Sequence, residues 1–360
     1  MTRLWETYRK RENRVRSRRQ ATGRESTVYG PGTEIPIREL GGELPASVTY
    51  GGDAVIATVE DSDSLARLLT TFGIDGDGPI FVKVTWHGYA TGTYTDPVAL
   101  DRLLGALPRG RVVLVEGHTI SKNRAEDLTW DWEEESRAHR DWILTEERAF
   151  LEATGLQDVM DRHGATYLNV TEAVWDGQCA AREDVFKLLA DRGITPGTPE
   201  LCDAIPSVML ENLDRPFLSF ARFKGPTRLS VSNCFGLLPG PYRGAWHGPD
   251  VTYFARVCAE IARIYGALFT TYGLNEAFNV AVRWNREGLY RSRWGHYDLV
   301  AGGSLMTLSK GLMPADLLAC RLQGSSPDRS AFYDHVSRGL GVDRGAYEGE
   351  IAPRLIRRFA

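Results

Sequence analysis

The chain has 360 residues and a formal net charge of −4, and its 42% hydrophobic and 25% charged residues are typical of a globular protein with its own core. No apolar run approaches the ~20 residues that a membrane-spanning helix needs. The N-terminus lacks the apolar segment of a secretory signal. We therefore expect a cytoplasmic protein without a membrane partner.

The first 28 residues form a basic arm on an acidic body. They carry nine Lys or Arg and three Asp or Glu, a balance of +6, whereas the remainder carries 34 basic and 44 acidic groups, a balance of −10. Such an arm can bind the phosphates of a nucleic acid. Alternatively, it is a solvated arm, or an arm that lies on the acidic body or on a partner subunit, as in a homodimer. We favour the second interpretation, because one basic segment is weak evidence for a nucleic-acid partner.

In the first half of the chain, apolar runs alternate with helical patterns after a Gly/Pro-rich connector at 29–47. The runs predict strands at 54–59, 80–86, 111–116 and 167–170, and the patterns predict helices at 64–72, 97–107, 145–153 and 181–192. The strand runs are continuously apolar and the links between elements are short. This is typical of parallel strands joined by crossover helices. We therefore predict an α/β fold with a mainly parallel sheet.

The second half begins near Pro206. It predicts strands at 217–223, 229–232, 277–284 and 303–308, and helices at 249–272, 314–322 and 329–338. The helix at 249–272 is the clearest, because its apolar residues recur at helical spacing. The chain thus divides into the arm 1–28, a first α/β half at 29–205 and a second at 206–360. These are either two Rossmann-like halves packed as one unit or one continuous domain.

Polar side chains stand where two of the predicted strands end. His87 follows Trp86 at the end of one strand, and Glu116 and His118 follow the next. Because neighbouring parallel strands end at one edge of a sheet, we expect His87, Glu116 and His118 to converge. Two imidazoles and a carboxylate can bind a divalent transition metal and can equally form an acid/base cluster. The alternative is that each histidine only caps a loop by bonding to the backbone.

Two lysines and an asparagine are candidates for binding an anionic or polar substrate. Lys83 lies inside an apolar strand, where a charge is costly unless it is paired or binds an anion. Lys224 follows a strand and precedes a Gly-Pro turn that would present its ammonium. Asn233 precedes Cys-Phe-Gly, where backbone amides can approach a ligand closely. For Lys83, exposure at a sheet edge or a structural ion pair is the alternative.

Tryptophan stands beside histidine at Trp86-His87 and at Trp246-His247, and nine tryptophans is a high count for this length. Aromatic walls around polar groups are what a pocket for an organic ligand needs. Trp86 and Trp246 are therefore candidate binding residues and His247 a candidate acid or base, unless the tryptophans only fill the core. Asp316 opens a predicted helix, whose first turn favours a carboxylate through the helix dipole.

Familiar cofactor motifs are absent from the sequence. The chain has no P-loop, no G-x-G-x-x-G after a strand, no H-E-x-x-H and no G-x-S-x-G. Its five cysteines form no C-x-x-C pair, so we expect free thiols and neither a zinc ribbon nor an iron–sulfur cluster within the chain. The cofactor stays unknown, with a divalent metal ion as the open alternative.

From about residue 50 to 340, the motifs resemble the family catalogued as Domain of Unknown Function 362. PIFVKVTWHG resembles its early strand with a lysine, TDP at 95–97 its helix start, and RVVLVEGH its strand ending in glutamate. FARFKGPTRLSVSNCFGLLPG resembles its signature, a Lys-x-His element followed by Thr, an apolar run and Lys-Asn before Gly. LMTLSKGLMPADLLACRLQG resembles its closing segment. The resemblance implies that Lys83, Lys224, Asn233 and Asp316 carry over.

Some positions depart from the family pattern. Gly225-Pro226 stands where the family usually has its histidine, Ser232 replaces the lysine before Asn233, and the ferredoxin-like cysteines of many members are missing. The family has no general assigned reaction, so the resemblance implies a fold and a site region.

Taken together, we expect an enzyme of lyase, isomerase or cyclase type, in specialised biosynthesis. It would transfer protons on a small anionic or polar molecule, with or without a metal. One alternative is an oxidoreductase or redox partner related to iron–sulfur family members. The other is a non-catalytic module that binds a ligand or nucleic acid.

Overall fold

The computed structural model describes residues 47–50, 52–75, 77–88, 92–119, 140–224, 228–239, 243–282, 290–292, 295–323, 327 and 330–347. The basic arm and most of the Gly/Pro-rich connector lie outside these residues, so what the sequence predicts for them stays a prediction. Within the described ranges, no helix is long and apolar enough to cross a membrane.

Nine strands of the described residues join in one sheet. Its order is β1-β2-β9-β7-β6-β3-β4-β5, with β8 paired to β9 off this path. The strands are β1 (Ser47–Tyr50), β2 (Ala54–Thr58), β3 (Ile80–Lys83), β4 (Val112–Glu116), β5 (Thr166–Asn169), β6 (Pro216–Lys224), β7 (Thr270–Val282), β8 (Tyr290–Ser292) and β9 (Gly295–Lys310).

Five neighbouring strands of this sheet, β5, β4, β3, β6 and β7, are parallel. β9 is antiparallel both to β7 and to β2, and β1 is antiparallel to β2. The predicted α/β fold is confirmed, whereas the local sequence pattern does not predict the antiparallel extension. Strands from both predicted halves share this one sheet, and the division at residues 205 and 206 stays a prediction.

The α-helices of the described residues connect these strands and cover both faces of the sheet. They are α1 (Ser62–Thr71), α2 (Pro97–Ala106), α3 (Arg140–Ala153), α4 (Leu156–His163), α5 (Val170–Trp175), α6 (Arg182–Asp191), α7 (Ser207–Leu210), α8 (Ser230–Asn233), α9 (Arg243–His247), α10 (Val251–Leu268), α11 (Met313–Leu322) and α12 (Ala331–Leu340). Short 3-10 helices occupy Pro199–Ala204, Cys234–Leu237 and Gly345–Tyr347.

Two apolar cores lie on opposite faces of the sheet. α1 to α4 pack over one core, and α6, α10, α11 and α12 pack over the other. Successive strand residues point to opposite faces, so Phe81 belongs to the core under α10 whereas Ile80 and Val82 belong to the core under α2. Burial on both faces explains why the parallel strands are continuously apolar in sequence.

Local signals mark the beginnings of two helices at the carboxyl edge. Asp96 caps α2 by accepting the backbone N–H of Val98 at 2.9 Å, and Pro97 takes the first helical position. Proline is favoured there because that N–H has no partner within a helix. Asp61 caps α1 in the same way, accepting from Ser64 at 2.7 Å.

Several predicted elements differ in type or in bounds from the structure. Of the strand predicted at 229–232, residues 230–232 lie in the helical turn α8, because a buried carboxylate accepts the N–H groups of Ser230 and Val231. The predicted helix at 249–272 ends at Leu268, since the chain enters β7 at Thr270 and pairs with β6. β3 ends at Lys83, so Trp86 and His87 follow it rather than end it.

The order of the strands creates a switch point between β3 and β6. These two strands are neighbours, but the chain crosses from β3 to β4 on one side and from β6 to β7 on the other. The segments that leave their carboxyl ends therefore diverge. In α/β sheets, ligands bind in the crevice that such a divergence opens.

Candidate functional site

Lys83 ends β3 at this crevice and is fully buried. Its ammonium donates hydrogen bonds to Glu116 Oε2 at 2.8 Å, to the carbonyl of Val84 at 2.6 Å and to Asn233 Oδ1 at 3.2 Å. These acceptors use all three ammonium protons. Burial lowers the pKa of Lys83, and the Glu116 carboxylate opposes that shift. Lys83 thus binds acceptors of its own protein rather than presenting an N–H to the crevice.

Glu116 ends β4 and is held by two cations. Besides Lys83, its carboxylate accepts from Arg243 Nη2 at 2.9 Å. The backbone N–H groups of Gly117 and Trp86 donate to it at 2.9 and 3.2 Å. Both carboxylate oxygens are therefore engaged inside the protein, in agreement with a structural ion pair for Lys83.

Arg243, which no sequence motif indicated, connects the segments that follow β4 and α8 around this ion pair. It lies in α9 and donates to the carbonyls of Gly117, Gly236 and Leu238 at 2.9, 2.6 and 3.0 Å. Arg243 stands in a Gly/Pro-rich stretch without hydrophobic periodicity, and its contacts join segments far apart in the chain. No local sequence signal marks such a residue.

Asn233 joins the two strands of the switch point. Its amide nitrogen donates to the carbonyl of Lys83 at 2.8 Å and to Ser219 Oγ at 3.1 Å. Its amide oxygen accepts from Lys83 and from the hydroxyl of Thr85 at 3.0 Å. Lys83 and Ser219 are register partners in β3 and β6, so Asn233 fixes the spacing of the two strands where β3 ends.

Gly236 covers the ion pair so closely that a side chain does not fit. A Cβ at this position would lie 2.5 Å from Lys83 Nζ and would also collide with Glu116 Oε1. The glycine in Cys-Phe-Gly is therefore explained by contact with buried charges of the protein itself. It keeps the 3-10 turn Cys234–Leu237 in contact with the ends of β3 and β4.

Asp316 anchors the segment that carries Asn233 and Gly236. It is fully buried in α11 and accepts the backbone N–H of Ser230 at 2.7 Å and of Val231 at 3.1 Å. Burial raises the pKa of Asp316 to about 6, and these hydrogen bonds act in the opposite direction. The helix start that Asp316 caps is thus α8, which neighbours α11 in space but not in sequence.

Lys224 is the cation of the crevice that has no such partners. It ends β6, is half-buried, and no hydrogen bond or ion pair of its ammonium is formed within the described part of the chain. Burial, together with the charges of Lys83 and Arg222, lowers its pKa to about 8, while Glu116 acts in the opposite direction. Lys224 thus lies at the end of a strand, whereas the Gly-Pro turn that was predicted to present its ammonium lies outside the described residues.

A buried histidine lies beside this cluster. His118 Nδ1 is hydrogen-bonded to Glu147 Oε2, and Glu147 Oε1 accepts from the hydroxyl of Tyr167 at 2.7 Å. Burial raises the pKa of Tyr167 well above its usual value, and the Glu147 carboxylate adds to the shift, so the hydroxyl stays a donor. An imidazole oriented by a carboxylate is suited to general acid/base catalysis.

The position of Glu147 in the sequence also marks it as an unusual residue. It lies four residues after Ile143 and four before Leu151, so it falls on the apolar face of α3. All three side chains are buried in the structure. A carboxylate in the middle of an apolar helix face requires a partner, and here the partners are His118 and Tyr167.

The predicted aromatic walls belong to the core. Trp86 and Trp246 are buried, and Trp86 packs edge-on against Tyr167 with ring centroids 4.9 Å apart. Both side chains lie in the two apolar cores, as the alternative interpretation expects. His247 is exposed and stacks on Phe254 at 4.5 Å.

His87 is half-buried in the segment after β3, where its backbone N–H donates to the carbonyl of Thr93 at 3.3 Å. Glu116 is engaged by two cations and His118 by Glu147. Across the described ranges, no group of three or more His, Cys, Asp and Glu is placed to hold a metal ion. The structure therefore does not assemble the predicted ligand set of His87, Glu116 and His118.

A second buried charge cluster lies next to the crevice and was not predicted. Arg222 Nη1 lies 3.3 Å from Glu276 Oε1 and 3.6 Å from Asp96 Oδ2. Burial raises the pKa of Glu276 to about 7, although Arg222 acts in the opposite direction. The cluster binds the Thr95-Asp96-Pro97 helix start to β6 and β7, which explains that motif by internal contacts.

No protein-family model, curated protein or solved structure matches this chain. The arrangement of the side chains at the switch point is therefore the structural basis for a function. That arrangement combines three cations, Lys83, Arg243 and Lys224, around the single carboxylate of Glu116, with an imidazole–carboxylate pair on the same strand end.

Proposed function

We propose that this chain is an enzyme of lyase, isomerase or cyclase type that transfers protons on a small anionic organic substrate. The observation that carries the proposal is the half-buried ammonium of Lys224. It has no hydrogen-bond or ion-pair partner among the described residues and stands at the switch point of the sheet. Partial desolvation of a cation is costly, and an anionic ligand would offset that cost.

The charges around Lys224 also favour an anion. Three cations, Lys83, Arg243 and Lys224, lie near Glu116. Lys83 and Arg243 share this one carboxylate, so its single negative charge compensates only one of the three positive charges. The crevice therefore keeps an excess of positive charge. In a partly dehydrated crevice, this excess attracts a carboxylate or phosphate more strongly than it would in bulk water.

The proposed acid/base group is His118. Glu147 is hydrogen-bonded to His118 Nδ1 and so fixes the orientation of the imidazole that would exchange protons with the substrate. Tyr167 holds Glu147 from the other side. Because Glu116, Gly117 and His118 are consecutive, the anion-binding cluster and the proton-transfer group belong to the end of the same strand, β4.

The resemblance to Domain of Unknown Function 362 is part of this proposal. Of the four residues that would carry over, Lys83, Asn233 and Asp316 build the crevice from within, and Lys224 faces the ligand. Lys83, Asn233 and Asp316 would thus form a scaffold shared with the family, and Lys224 would be its one partly exposed functional group. Residues that differ from the family pattern, such as His87, would then serve the specificity of this protein.

Binding is tested by isothermal calorimetry on the full chain with small carboxylates and phosphate esters. Removal of a hydrogen bond to a charged group costs ~1.5–3 kcal/mol, so we expect Lys224→Ala to bind about 10- to 150-fold more weakly. Lys187→Ala, at an exposed helix position, is the control. Equal affinities for Lys224→Ala and the wild type would contradict the proposed site.

Proton transfer is tested without knowledge of the product. Anions that bind are incubated with the protein in D2O, and exchange of their C–H groups is followed by nuclear magnetic resonance. Loss of a general acid or base slows a reaction by roughly 10²–10⁴-fold, so His118→Gln should slow the exchange by this factor while the anion still binds. An unchanged exchange rate would rule out His118 as the proton-transfer group.

A further inference from the structure

Lysine is scarce in this protein, and the described lysines differ in burial and in hydrogen-bond partners. Six of the 43 basic residues are lysines and 37 are arginines. Arginine stays charged, whereas a lysine can lose its proton and become a nucleophile. Among the lysines that the structure describes, Lys187 and Lys310 are exposed, and Lys83 donates all its protons to the protein. Lys224 combines partial burial with an ammonium that has no partner there.

The surroundings of Lys224 favour its neutral form. Lys83 is held in place by Glu116 and Asn233, and Arg222 by Glu276, so both cations are fixed near Lys224. Desolvation and a neighbouring cation are the two conditions that activate a catalytic lysine as an amine. The lowering of its pKa to about 8 agrees with this environment and leaves roughly a tenth of the lysine as neutral amine at pH 7.

We propose that Lys224 forms an imine with an aldehyde or ketone group of the substrate, which makes small oxo acids the substrate class. The inference rests on the proposed function, because the carboxylate of the oxo acid would be attracted by the same excess of positive charge. It adds a covalent role for Lys224, beyond attraction of the anion.

The chemistry balances without a further reactant. The neutral amine attacks the carbonyl carbon, so a C–N bond forms as the C–O π bond opens. The oxygen leaves as water with both amine protons, and one proton from solvent converts the imine to an iminium ion. The iminium withdraws electrons from the adjacent C–H bond, whose proton His118 then accepts. This sequence links the covalent step to the proton transfer of the proposed function.

Reductive trapping tests the inference. The full chain is incubated with glyoxylate, pyruvate, 2-oxobutyrate, 2-oxoglutarate or succinic semialdehyde, treated with sodium borohydride, digested and analysed by mass spectrometry. We expect one reduced adduct, on the peptide that contains Lys224, and none without borohydride. Lys224→Arg should give no adduct but keep the affinity for the acid within a few-fold, because the charge is retained. Lys187→Arg should be trapped like the wild type.

The outcomes separate the two proposals. Binding of these acids to the wild type without any trapped adduct would overturn the imine and leave the proposed function standing. An adduct spread equally over Lys187, Lys224 and Lys310 would show non-specific labelling and would also overturn it. If Lys224→Ala binds the acids as tightly as the wild type does, both the imine and the proposed anion site fail.

Discussion

Replacement of Glu116 by glutamine is the sharpest test of the arrangement at the crevice. The side chains have almost the same shape, but glutamine carries no charge and turns an NH2 group toward donors. Glu116 accepts from Lys83 at 2.8 Å and Arg243 at 2.9 Å, and from two backbone N–H groups. The variant would therefore leave two cations, one of them fully buried, without a counter-charge.

The expected loss is large because removal of one partner from a buried ion pair typically costs ~3–5 kcal/mol of the free energy of unfolding. Lys83→Met should cost less, about 1–3 kcal/mol, since Glu116 keeps Arg243 and both amides while Val84 and Asn233 lose one donor. The double variant should lose less than the sum of the two, by at least ~1 kcal/mol, because the two groups interact directly.

Guanidinium chloride unfolding followed by tryptophan fluorescence measures these free energies. Glu211→Gln, at an exposed position, is the control and should change stability by less than about 0.5 kcal/mol. A loss of under about 1 kcal/mol for Glu116→Gln, or simply additive effects of Glu116→Gln and Lys83→Met, would refute the buried ion pair of Lys83 and Glu116.

Three further predictions concern groups around the same crevice. Gly236→Ala should lower the free energy of unfolding by ~1–3 kcal/mol, because it forces a methyl group into the ion pair. The control Gly266→Ala, inside α10, has room for the methyl group and should raise the free energy of unfolding by up to ~1 kcal/mol. Equal effects of the two variants in urea unfolding would contradict the close contact between Gly236 and the ion pair. The Glu276 carboxyl has a pKa of about 7 when folded, against an ordinary 4.5. The folded state thus binds more protons between these values, and stability should fall as the pH rises through that window. Glu276→Gln should flatten this slope, leaving the smaller contribution of Asp316, and an unchanged slope in unfolding measured from about pH 5 to about pH 8 would exclude the assignment. Anion binding should weaken as the pH rises through about 8, where Lys224 loses its proton, whereas Lys224→Arg should keep binding at higher pH; calorimetry on both sides of that pH decides this, and identical profiles would count against Lys224.

The local pattern predicted most of the elements that position the site. Strands β2 to β6 and helices α1, α2 and α6 lie within a few residues of their predicted bounds, because apolar runs and helical periodicity reflect burial directly. The prediction failed at 229–232, where Asp316 caps a helical turn from another part of the chain. An apolar run of four residues contains no information about a partner that distant.

The roles of the site residues were likewise predictable only in part, because they depend on contacts between distant segments. Glu116 was identified at a strand end, Lys83 inside an apolar strand and Asn233 before Cys-Phe-Gly. The three side chains do meet, but the sequence could not show that they would satisfy one another. Arg243 was missed, since its contacts are set by a Gly/Pro-rich segment without periodicity.

The amino-acid pattern alone determined an α/β fold with polar groups at the carboxyl ends of its strands, because side-chain burial repeats with the geometry of each element. Tertiary structure decided the strand order, and with it the neighbours of each charge. Lys83 and Asn233, 150 positions apart, meet because β3 and β6 are adjacent at the switch point. Whether a lysine is satisfied inside the protein depends on which distant acceptors reach it. At this edge, Lys83 has three internal acceptors, whereas Lys224 has none within the described residues.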